Sequence, residues 1–76
     1  MSQKAIAELR VRVEHWSRRL RVTPRLVRVQ RMTRKWGSCS AAGTLTLALE
    51  LIYEDEAFQD FVVAHELQEK FAKTGR

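Results

Sequence analysis

Apolar side chains recur at Ile6, Leu9, Val13, Trp16 and Leu20, three, four, three and four residues apart. On a helix that spacing makes one continuous stripe, with Arg10, Glu14, Ser17, Arg18 and Arg21 largely on the other side. The pattern predicts a helix over residues 3–20, capped by Ser2 and ended by Thr23-Pro24, since proline pushes the residue before it out of the α region. The period then changes. RLVRVQRMT, residues 25–33, alternates in part and is rich in valine, which predicts a strand with Val27 and Val29 on one side. Leu26, Arg28, Gln30 and Met32 take the other side, and arginines on a strand fit a sheet edge or a charged cleft. Residues 44–52 alternate more cleanly, with Leu45, Leu47, Leu49 and Leu51 facing Thr44, Thr46, Ala48 and Glu50 across the strand. The ten residues from Arg34 to Gly43 read as a loop by their Gly, Ser and basic content. The two strands are expected to pair as an antiparallel hairpin across that long, functional loop.

A second helix is predicted over residues 56–73, with Asp55 as N-cap and acidic residues at its positive end. At about 100° per residue, Phe58, Phe61, Val62, His65 and Glu69 share one face, and Val63, Leu67 and Phe71 the opposite one. A helix apolar on both sides needs cover on both sides. The sheet and the first helix supply one cover, so the other implies further chain, a partner or a second copy. The whole is a single α+β domain over residues 1–76: helix, antiparallel hairpin, helix.

Length and composition narrow the setting. A chain of 76 residues buries about 60% of its unfolded surface, which leaves a marginal core unless metal, partner or crosslink helps. Cys39 is the sole cysteine, so no internal disulfide forms, as fits a reducing compartment. No apolar run reaches the roughly 18 residues that span a bilayer, and the N-terminus lacks the apolar core of a signal peptide. A cytoplasmic location is the simplest expectation. The net charge of +5 is unevenly spread: residues 1–36 carry eleven Lys/Arg and two Glu, residues 37–76 three Lys/Arg and seven Asp/Glu. A basic half of that density fits an anionic partner such as nucleic acid, although a solvated surface explains the same arginines. No helix-turn-helix spacing, aromatic interleaving or Gly-rich phosphate loop accompanies it.

The candidate chemistry lies in FVVAHELQE, residues 61–69. His65-Glu66-Leu67-Gln68-Glu69 is one residue away from H-E-x-x-H, in which histidines four apart on one helix face grip zinc and the glutamate acts as general base. Here the fourth step is Glu69, and a carboxylate can also serve as a zinc ligand. His15 sits beside Trp16 near the edge of the first apolar stripe, with nothing nearby in sequence to pair with it.

Two stretches together resemble a known family. Arg31 to Ser40, RMTRKWGSCS, followed by the alternating leucines and then by Phe61-Val62-Val63-Ala64-His65-Glu66-Leu67, is similar to the YgjP-like metallopeptidases, predicted zinc-dependent hydrolases of the zincin type. The likeness covers residues 25–67, and the W-G-S-C-S string is far more distinctive than His-Glu alone. It implies His65 as first zinc ligand and Glu66 as the catalytic glutamate, which takes a proton from water and later passes it to the leaving group. It also implies a second histidine four residues past the first and a third about ten past it. Glu69 and Gly75 stand at those positions, and the family carries further helix beyond. The resemblance therefore implies a metal-dependent hydrolase whose zinc site is altered and incomplete within these 76 residues, its substrate, peptide or small molecule, left open. The other reading is a basic nucleic-acid-binding or scaffold module without catalysis.

Overall fold

The computed structural model describes residues 3–69; Ser2 and the expected helical residues 70–73 lie outside them. Helix α1 spans Gln3–Leu20 and buries the predicted stripe, with Leu9 and Val13 fully inside and Trp16 and Leu20 half-buried against the core. It stops one turn before the proline. Arg21 adopts a left-handed φ of 59°, Arg21 N–H bonds the Arg18 carbonyl and Val22 N–H the Ser17 carbonyl, a Schellman closure in which arginine takes the place usual for glycine.

Three strands follow: β1 (Leu26–Gln30), β2 (Gly37–Cys39) and β3 (Thr44–Ala48), in the order β1-β3-β2. The expected antiparallel pairing of the two longer strands is corrected here. β1 runs parallel to β3, Leu26 opposite Thr44 through Gln30 opposite Ala48. The hairpin partner of β3 is β2, with Gly37 opposite Leu47 and Cys39 opposite Leu45. The physical reason lies in the connection. Parallel neighbours need a crossover rather than a turn. The chain leaves β1, crosses the end of β3, returns as β2 and only then turns tightly through Ser40–Gly43. Gly43 takes a φ of 95° there, and its N–H bonds the Ser40 carbonyl at 3.0 Å. β1 holds the predicted edge position, and Arg10 of α1 donates to the Val27 carbonyl at 3.0 Å.

The leucine strand is also shorter than its alternation predicts. Leu49–Tyr53 winds into a 3₁₀ helix, which lets Leu51 turn back into the core although the strand has ended. Glu50 at that corner holds the β1–β2 connection, accepting from Met32 N–H at 3.3 Å and facing Arg31 at 3.9 Å.

Helix α2 (Glu56–Leu67) opens on the predicted cap, Asp55 Oδ1 accepting from Phe58 N–H at 2.8 Å. It buries Gln59, Val62, Val63 and Leu67, so Val62 and Val63 lie side by side in one core rather than on two separately covered faces. With Leu9, Val13, Leu45, Leu47 and Leu51 they make a single apolar cluster. Phe61 remains outside it, 63% exposed. Among the described residues no helix is long and apolar enough to cross a membrane.

Candidate functional site

The last turns of α2 and the short strand β2 enclose an open cavity of about 400 Å³. The helix contributes His65 and Glu66, with Glu69 just past its end; the other wall is Lys35, Gly37, Ser38 and Cys39. The two motifs that stand some 25 residues apart in sequence thus form opposite walls of one cleft. The sheet register accounts for this. Pairing of Gly37–Cys39 with Thr46 and its neighbours holds β2 beside α2, and Ala48 N–H extends the ladder to the Trp36 carbonyl at 2.9 Å.

Aromatic packing runs from His65 to the loop before β2. The His65 ring stacks on Phe61 with centroids 5.8 Å apart and planes 19° from parallel. Phe61 stacks in turn on Phe58, and Phe58 meets Trp36 edge to face at 5.2 Å. Four rings therefore connect the imidazole to the loop that carries W-G-S-C.

Glu66 lies half-buried on the helix wall of the cleft, and burial raises its carboxyl above the ordinary glutamate range. The charges of His65 and Lys35 pull the other way and that of Glu69 adds to the rise, with burial prevailing. A carboxylate so placed holds a proton more readily than one in water.

His65 and Glu69, four residues apart and both lining the cleft, are the residues that could share a metal ion. Catalytic zinc takes three protein donors. Among the described residues no three His, Cys, Asp or Glu side chains are grouped to hold a metal, and residues 1, 2 and 70–76 contain none of these types. The donor set of residues 1–76 therefore falls short of a catalytic metal site. His15 does not complete it: that ring lies in a different groove, between α1 and α2, edge-on to Trp16 at 5.3 Å.

Lys35, Ser38 and Cys39 line the cleft without being singled out by motif spacing. Their signal was present in the basic, small-residue loop, but only the fold shows that this loop faces the helix. The model of the YgjP-like metallopeptidase domain matches residues 1–68. No curated protein and no solved structure matches the chain.

Proposed function

The chain belongs to the YgjP-like metallopeptidase family, and from that premise we infer that it is a hydrolase domain whose reaction centre is the cleft between β2 and α2. The observation that carries this reading is the meeting of His65 and Glu66 with the Gly37-Ser38-Cys39 strand in one cavity. Glu66 is the general base: its half-buried carboxylate accepts a proton from a water held in the cleft and returns it to the leaving group. The family implies a metal cofactor, and an imidazole with a carboxylate suits zinc. His65 and Glu69 are the residues of this chain that would help hold it. Such an ion supplies Lewis acidity when bound. A third donor must come from outside residues 1–76, so these residues alone bind metal weakly and turn over slowly.

The test compares this chain with its Glu69→His variant, each purified without chelator and assayed for zinc content and for hydrolysis with and without added zinc. The variant restores the paired imidazoles on one face and is expected to retain more zinc than the parent. His65→Ala in the variant background should abolish that gain. Zinc content unchanged by either substitution would remove this helix face from any metal site.

A further inference from the structure

Gly37 is glycine because of the space around it. Gly43, in the turn, needs its left-handed φ of 95°, whereas Gly37 sits in regular antiparallel register opposite Leu47 with no positive φ. Its surroundings are crowded. A Cβ at position 37 would lie 3.2 Å from Glu66 Cγ, 3.2 Å from the Thr46 carbonyl oxygen and 3.3 Å from Leu47 Cδ2. Three contacts at that range require at least one neighbour to give way.

The three differ in how they can yield. Leu47 is fully buried in the core, and Thr46 belongs to the central strand, paired on both sides. Neither moves without disturbing the packed interior. Glu66 is half-buried on the cleft wall, and its stem can rotate to another staggered position. Of the three neighbours the Glu66 stem yields most readily, so a side chain at position 37 would push it aside by a few tenths of an ångström.

We propose that Gly37 is a positioning residue for Glu66: its bare Cα lets the glutamate stem lie against β2, which aims the carboxylate into the cleft. The catalytic meaning of that placement rests on Glu66 being the general base, while the placement itself rests on the contact alone. It gives the glycine of W-G-S-C a physical task, since displacements of about 1 Å in a reacting group cost on the order of 10²-fold in rate.

The experiment is a double-mutant cycle on thermal unfolding of the full chain, using Gly37→Ala, Glu66→Ala and the pair, with NMR of the Glu66 side chain in the parent and in Gly37→Ala. The expected result is a lower midpoint for Gly37→Ala, with most of the loss recovered when Glu66→Ala removes the opposing stem. The χ1-dependent couplings and side-chain shifts of Glu66 should change while the amide shifts of Cys39, Leu45 and Leu47 keep the β2–β3 pairing. Equal losses in both backgrounds, or Glu66 couplings and side-chain shifts that do not change, would overturn the proposal by assigning the clash to the strand. Should Gly37→Ala fail to fold, folding of the double variant supports the proposal and its failure overturns it. None of these readouts depends on turnover, so a chain without Glu66-dependent hydrolysis would refute the general-base reading and leave this result standing.

Discussion

Helix α2 is flanked by two clefts of similar size, about 400 Å³ on the β2 side and about 440 Å³ on the α1 side. Each holds one histidine, at least two carboxylates and one longer cation. The difference is in how the charges are used. On the α1 side Arg12 bonds Asp60 at 2.9 Å and Glu56 at 3.1 Å, and Trp16 Nε1 donates to the same Asp60 oxygen at 3.0 Å. Burial works against the Arg12 charge, but the bonds to Asp60 and Glu56 outweigh it and hold its proton more tightly than usual. Those charges are committed to joining two helices. On the β2 side, among the described residues, Glu66 has no ion-pair partner within reach, and burial rather than pairing sets its proton affinity. Similar inventories thus serve one seam that fixes the helix and one cleft in which a carboxylate remains open to chemistry.

The largest effect that would break this contrast is on turnover. With Glu69→His restoring the paired imidazoles, Glu66→Gln should lower hydrolysis by about 10²–10⁴-fold, the range for a lost general base, while the unfolding midpoint does not fall. A variant as active as its parent would make the β2-side cleft as structural as the other. Next in size is the converse substitution. Asp60→Ala removes the acceptor shared by Arg12 and Trp16 and leaves their donors half-buried, at an expected cost of about 1–3 kcal/mol in urea unfolding. A loss within about 0.5 kcal/mol would place the network with solvated surface pairs, such as Arg18–Glu14, which runs from one turn of α1 to the next.

Much of the contrast is invisible in the sequence, for reasons that differ from residue to residue. The helices and β3 are legible because Leu9, Val13, Leu45, Leu47 and Val63 repeat with the period of the element that buries them. The parallel pairing of β1 is not, because alternation specifies which side of a strand is apolar and carries no sign of its direction. β2 is hidden for another reason: Gly37-Ser38-Cys39 has no apolar alternation, and its place depends on the ladder to β3. His65, Glu66 and Glu69 are legible from spacing, and the structure brings them into one cavity. That Lys35 and Cys39 face them depends on contacts more than 25 residues apart, which local pattern does not encode. The expectation of a helix covered on two sides misplaces Val62 by treating 100° steps as separate faces, when Val62 and Val63 both reach the same core.

The smallest effect, and the sharpest discriminator between the clefts, is the pH dependence of stability at Glu66. Its carboxyl has a higher pKa folded than the ordinary value of 4.5, chiefly through burial. The folded state therefore binds that proton more tightly than the unfolded state does. The favourable contribution is complete below the unfolded value and is lost as pH rises through the folded one. Near neutrality the buried charge is a net burden, so Glu66→Gln should unfold at a slightly higher temperature than the parent at pH 7. The two should converge as the pH falls toward 4.5. Thermal scans of both proteins between these limits measure the gap. A Glu66→Gln midpoint below the parent's at pH 7, with the gap widening as pH rises, would mean that the carboxylate is paired and stabilising. The β2-side cleft would then use its charges as the α1-side seam uses Asp60, and the distinction between them would fail.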